Sequence, residues 1–336
     1  MNSHIKYFTD HLDSKFPYTY VDIGAMGGIP KKWDCLRPNM KVIAFEPDER
    51  EFSKLKNSDR TRYFNYALFR DAQPLKYYVT KGHGKSSVYL PNDTVVKEFE
   101  DVERFRIVKE ETLPKERVKS LDDVVSENKI ASIDFIKLDT QGSELNILEG
   151  ARDRVLPQTF GLNIEVEFTQ IYQGQPLFCD VDRFLRAQGF ELIDLRRAYW
   201  KRKDYYDYVG KGQLVFGDAL YFKRLDVLSK DFSAASDKMF AVSKIYKGIV
   251  TCLVYRIFDY AVSLAKMGFT LNLLSEDECA TAIGVIMDSS KKGVLPFFPG
   301  RTFLYKVLNR MSQALRPKSY LGWADGDRMI GNIKDV

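Results

Sequence analysis

Cysteine is scarce and scattered in this chain. The four cysteines among 336 residues (Cys35, Cys179, Cys252 and Cys279) include no C-x-x-C pair. A disulfide framework and a zinc finger are thereby excluded as organising devices, no metal site is expected, and a reducing compartment, the cytoplasm, fits. Long apolar runs are also missing. The most apolar stretch, Lys244 to Leu264, is broken by Lys247, Arg256 and Asp259, so no span of the ~20 residues that cross a bilayer exists. The opening Met-Asn-Ser-His-Ile-Lys lacks the apolar core of a secretory signal, and none is expected. Internal repeats and low-complexity tracts are absent as well.

Charge of either sign is not in large excess, with 51 Lys and Arg against 46 Asp and Glu. The surplus is local. Lys230 to Val336 holds 15 basic and 10 acidic residues, whereas residues 1–229 balance at 36 against 36. A balanced main body argues against a dedicated nucleic-acid surface, even though Arg196-Arg197-Ala-Tyr-Trp-Lys-Arg-Lys203 mixes cations with aromatics.

What is present is a series of apolar strands that end in carboxylates. Tyr18-Thr-Tyr-Val-Asp22-Ile-Gly24-Ala25-Met-Gly-Gly28 runs from a buried strand into a glycine turn, where a missing Cβ lets backbone approach a ligand. Lys41-Val-Ile-Ala-Phe-Glu46-Pro47-Asp48 is a second strand, and Glu46 is placed to hold ribose hydroxyls. The glycine spacing is not the G-x-G-x-x-G of pyrophosphate sites. It suits a nucleoside with a cationic amino-acid end, S-adenosylmethionine (SAM). Ile133 to Asp139 and Phe160 to Phe168 supply two more strands, the first ending in Asp139 and the second carrying Glu165 and Glu167. In open α/β sheets ligands sit outside the carboxyl ends of the strands, so these acids are expected on one rim.

The segments VDIGAMGG, IAFEPD, FIKLDTQGSELNILEGA and IEVEFTQIY, with QPLFCDVDRFLRAQGFELIDL and GDALYF, together resemble the FkbM-type SAM-dependent methyltransferases. The family often has Asn where this chain has Met26. The resemblance implies a class I methyltransferase fold, a Rossmann-like, mostly parallel seven-stranded sheet. It also implies O-methylation of a hydroxyl on a sugar, glycan or related secondary metabolite. A nucleotide-sugar oxidoreductase or epimerase is the alternative enzyme, and a non-catalytic scaffold acting through the tail is the alternative outside catalysis.

The expected cofactor residues are Asp22, Gly24, Ala25, Gly28, Glu46, Pro47, Ala67 and Asp139, with Ala67 where the third strand meets the adenine. The expected catalytic residues are Asp139, Glu165 and His83. Asp139 orients the acceptor or takes its proton, Glu165 is the strand-end acid, and His83 lies in the glycine-rich loop Thr80 to Val88 and is a neutral-pH base. Strands are expected near 18–23, 41–45, 61–67, 133–138, 162–168, 191–195 and 213–222. Helices are expected near 31–36, 49–56, 121–128, 144–153 and 180–188. Residues 1–228 form the catalytic domain, with an insertion at about 75–119, long enough to serve as a lid.

Residues 229–336 read as an all-helical appendage: Lys244–Leu264, Glu276–Lys291 behind a Ser275/Glu278 capping box, and Arg301–Leu315. Its apolar faces need cover from the catalytic domain, from a second copy in a homodimer, or from the inner face of an anionic membrane. Lys244, Lys247, Lys291, Lys292 and the Phe297–Phe298 wedge are the candidate membrane contacts, and they suit a lipid-linked glycan as acceptor.

Overall fold

The computed structural model describes residues 2–12, 16–99, 102–205, 212–291, 295, 298–315 and 324–326. Seven strands form the central sheet: β1 (Tyr18–Ile23), β2 (Met40–Phe45), β3 (Thr61–Phe64), β4 (Phe135–Leu138), β5 (Gly161–Glu167), β6 (Phe190–Trp200) and β7 (Gln213–Lys223). Their order is β3-β2-β1-β4-β5-β7-β6, and every pairing is parallel except those of β7, which runs antiparallel to both neighbours. This is the class I methyltransferase arrangement. The order reverses between β1 and β4, where open α/β sheets open a crevice at their carboxyl ends.

Alternation along the strands divides the core in two. Val21, Ile23, Ile43, Ile136, Leu138, Leu162 and Ile164 face α2 (Leu121–Glu127), α3 (Glu144–Glu149) and α4 (Phe178–Ala187) through Val124, Leu148 and Leu185. Tyr18, Tyr20, Val42, Phe135, Leu220 and Phe222 face the other way, onto Trp33 and onto the helices that follow the sheet. Those are α6 (Lys238–Tyr255), α7 (Phe258–Thr270) and α8 (Glu276–Lys291), preceded by α5 (Leu225–Ser233); α1 (Asn2–Asp10) packs beside them. Ile245, Ile249, Leu253, Leu264 and Ile286 belong to the same apolar cluster as the strand residues. The segment read as an appendage therefore packs on one face of the sheet, together with Trp33 and α1. The approach is close: a Cβ on Gly248 would lie 3.0 Å from Leu264 and 3.2 Å from Phe160.

Lys244 and Lys247 are corrected by this packing. They are 8% and 1% exposed, and their ammonium groups hold the two oxygens of Asp134, itself 1% exposed, at 2.7 and 2.9 Å. The Thr19 amide donates to the same carboxylate and Lys247 donates to the Pro17 carbonyl. Burial drives the Asp134 carboxyl upward, but the two lysines outweigh it and leave its pKa below the usual value. Neither lysine is available to a membrane. Lys291 is exposed, Phe298 is partly so, and Lys292 and Phe297 lie outside the described residues.

Four other expectations shift. The single helix expected over 244–264 is two, because Arg256 takes the left-handed conformation at φ 59° and the Ile257 amide reaches back to the Cys252 carbonyl, a Schellman-type stop. The strand expected over 61–67 ends at Phe64, and Ala67–Leu68 pairs instead with Val118–Lys119 in a separate two-stranded sheet. The tail is not wholly helical: Ala324–Gly326 adds an antiparallel edge to β6 at Ala198–Trp200. The helix expected at 31–36 is a 3-10 helix spanning Lys31–Asn39. The Ser275/Glu278 capping box forms with both of its hydrogen bonds.

Candidate active site

A cleft of about 270 Å³ opens at the carboxyl ends of β1, β2, β4 and β5. Its floor depends on Gly24. This residue has φ +78°, and a Cβ there would sit 1.9 Å from the Asp139 carbonyl oxygen, so only glycine lets the turn after β1 lie against the end of β4. Gly24, Glu46, Pro47, Ala67, His83, Asp139 and Glu165 all line the cleft. Three expected residues do not. Ala25 is fully buried, Gly28 closes a turn onto the Ala25 carbonyl, and Asp22 is 1% exposed beside Lys137 at 3.4 Å. These three shape the first turn from behind. Burial raises the Asp22 carboxyl to about 6 although Lys137 opposes it.

Glu46 ends β2 at 6% exposure and accepts the Asp48 amide at 2.9 Å, which fixes its carboxylate at the cleft wall. Burial, only partly offset by that hydrogen bond, raises its pKa to about 7. Tyr66, Ala67 and Leu68 form an apolar shelf near it.

At the other end, Asp139 and Glu165 are bridged by Gln141, whose amide donates to Asp139 Oδ1 at 3.3 Å and to Glu165 Oε1. Gln141 holds φ +60°, an uncommon conformation for a residue with a Cβ. The turn is kept by Glu144, 2% exposed, which accepts the Thr140 and Gly142 amides at 2.7 and 2.9 Å. Burial, followed by the charge of Asp139, pushes the Glu165 carboxyl well above the usual range. Glu167 is 3% exposed and lies beneath the cleft, its pKa raised by burial and by Glu144 and Glu165.

The insertion folds as a two-stranded antiparallel ribbon, Leu75–Thr80 with Ile107–Leu113. Its loop covers the cleft. A Cβ on Gly84 would lie 2.6 Å from the Met26 methyl. Arg50 donates to Thr80 O and Ser86 Oγ, Lys85 Nζ donates to Gln141 Oε1 at 3.0 Å, and Tyr172 donates to Lys85 O at 2.9 Å. His83 is half exposed and pairs with Glu51. Gln141, Lys85 and Tyr172 were not expected from the sequence. The one local signal was the glycine after Gln141, which marks a turn without revealing what it points at.

The basic cluster at the end of β6 is not a free patch. Arg196 pairs with Asp218, Arg202 pairs with Glu98, and Lys201 is 6% exposed. Among the described residues no cluster of three or more His, Cys, Asp or Glu is placed to hold a metal, and no helix is long and apolar enough to cross a membrane.

The family profile described as the Methyltransferase FkbM domain matches residues 23–192, just over half of the chain. The chain belongs to the FkbM methyltransferase family. It is also similar to the 2-O-methyltransferase NoeI of Sinorhizobium fredii (strain NBRC 101917 / NGR234), with 26% identity over 179 residues, 52% of this chain and 72% of NoeI. Two solved structures with low similarity are the Synechocystis PCC 6803 magnesium protoporphyrin IX methyltransferase with bound SAM and human methyltransferase-like protein 13 in complex with SAH. The first has 8% identity and a TM-score of 0.31 and covers 66% of this chain and 77% of its own. The second has 10% identity and a TM-score of 0.32 and covers 91% and 95%.

The protein is thus a SAM-dependent methyltransferase, and its cleft fits that donor. Gly24, Glu46, Ala67 and Asp139 line it, and with SAM bound Glu46 would face the ribose hydroxyls, the Tyr66–Leu68 shelf the adenine and the Gly24 turn the amino-acid end, as the sequence leads one to expect. SAM, when bound, supplies an electrophilic methyl group.

Proposed function

We propose that this methyltransferase acts on a hydroxyl of a sugar or glycan, with Glu165 as the base. The carrying observation is the Asp139–Gln141–Glu165 bridge at the cleft. An alcohol must lose its proton as it attacks, and a carboxylate of raised pKa is a better acceptor for it than an ordinary one. Asp139 Oδ2 and the lid residue Lys85 supply further hydrogen-bonding groups of the kind that orient polyols. The likeness to NoeI, named a 2-O-methyltransferase, supports oxygen as the acceptor atom. Four free cysteines support a cytoplasmic location.

Calorimetry with SAM and SAH, followed by radiolabelled methyl transfer into sugar and glycolipid extracts, tests this reading. Alkali-stable label is expected, because a methyl ether resists base whereas a carboxyl methyl ester is cleaved. Label lost on mild alkali, or label confined to protein or RNA, would refute it.

A further inference from the structure

In the last described helix, α9 (Arg301–Ala314), the described side chains are exposed except for the half-buried Arg301 and Val307. Leu304, Leu308, Met311 and Leu315 follow one another at spacings of four, three and four, which stacks them on one helical face. They are 46–78% exposed, and Phe303, about 100° round the helix from Leu304 on the Arg310 side, is 73% exposed. No Asp or Glu occurs from Arg301 to Leu315, whereas Arg301 flanks the stripe and Lys306 and Arg310 lie across the helix from it.

We propose that this helix docks the enzyme on an anionic lipid surface, lying in the interface with its leucine stripe among the acyl chains. An apolar stripe on a purely cationic helix matches a surface that offers negative charge and apolar depth together. A second copy of this chain fits less well. Two-fold pairing of α9 through the stripe would leave Lys306 and Arg310 of both helices on the outside of the pair, with no acid on α9 to answer them.

The chain also limits how far the cleft rim can lie from the docked helix. Only nine residues separate Ala314 from Ala324. Ala324–Gly326 is paired to Ala198–Trp200 at the carboxyl end of β6, on the same rim as the cleft. The end of α9 therefore lies within about 35 Å of that rim at full extension. Docking through α9 keeps the rim within that reach of the bilayer, which suits a lipid-linked acceptor. That last clause rests on the proposed function; the docking does not.

Flotation of the full chain with phosphatidylglycerol vesicles tests it, with phosphatidylcholine vesicles as control. Co-flotation at low salt, about tenfold stronger with the anionic vesicles and lost near 0.5 M salt, is expected. Leu304→Asp with Leu308→Asp should lower it about tenfold or more while leaving the melting temperature and SAM binding unchanged, because the stripe is exposed. Lys306→Glu with Arg310→Glu, which keeps the stripe, should weaken binding to anionic vesicles only. Absence of co-flotation, or equal flotation by the leucine variant, would overturn the proposal. So would a wild-type dimer by light scattering that the leucine variant dissociates.

Discussion

Replacing Glu46 by Gln should move stability and ligand affinity in opposite directions. The carboxyl is 6% exposed, and burial lifts its pKa to about 7 from an ordinary 4.5. A carboxyl raised on folding contributes most at low pH. That contribution is complete below the unfolded value and is lost as pH climbs through the folded one. At 1.36 kcal/mol per unit, the penalty for ionised Glu46 reaches about 3 kcal/mol at pH 8 and about half that at pH 5.5. Gln removes the titration yet keeps a carbonyl oxygen for the Asp48 amide. The variant should therefore melt several degrees higher than wild type at pH 8, with a smaller gain at pH 5.5. SAM affinity should fall by about 1–3 kcal/mol, the worth of hydrogen bonds to a charged acceptor. Paired melting curves at the two pH values and calorimetry with SAM measure both effects. A gain independent of pH would refute the burial reasoning, and unchanged SAM affinity would refute the ribose assignment. For wild type, SAM binding should tighten by up to about tenfold between pH 6 and 8 as Glu46 ionises.

Glu165→Gln should lower kcat by about 10²–10⁴ with little change in SAM affinity, read by single-turnover transfer; full activity would displace Glu165 as the base. Asp134→Asn strands two buried ammonium groups and should destabilise the fold by about 3–5 kcal/mol in urea unfolding, whereas a loss under 1 kcal/mol would mean the lysines find other partners. Gly24→Ala meets both an adverse φ and the Asp139 carbonyl, so SAM binding should be abolished even in whatever fraction folds.

The sheet was readable because each buried strand is a continuous apolar run closed by an acid or a turn. Glu46, Asp139 and Glu165 could be placed on one rim from strand ends alone. Asp22 and Glu167 satisfy the same pattern and lie behind or beneath the cleft. The pattern reports position along a strand, not which way a carboxylate turns. Gln141 was invisible for a related reason: its role comes from a left-handed turn clamped by Glu144, a tertiary arrangement. Lys244 and Lys247 misled most. A lysine on an apolar helix reads as a break facing solvent, and only Asp134, over a hundred residues earlier, shows that both point inward. The stop at Arg256 had no glycine to announce it.

The order in which the chain is made gives the covering helices a second consequence. Tyr18, Tyr20, Phe135 and Phe222 lie on a sheet face whose cover, α6 to α8, is encoded after the last central strand. At about 5–20 residues per second, all seven central strands leave the ribosome several seconds before that cover does. During that interval the nascent sheet has one side sealed and the other covered only by Trp33 and α1, leaving apolar surface open, the kind of intermediate that aggregates or recruits chaperones. A ribosome stalled between β7 and α8 should yield a chaperone-bound, protease-sensitive chain, and one stalled well beyond α8 a resistant one.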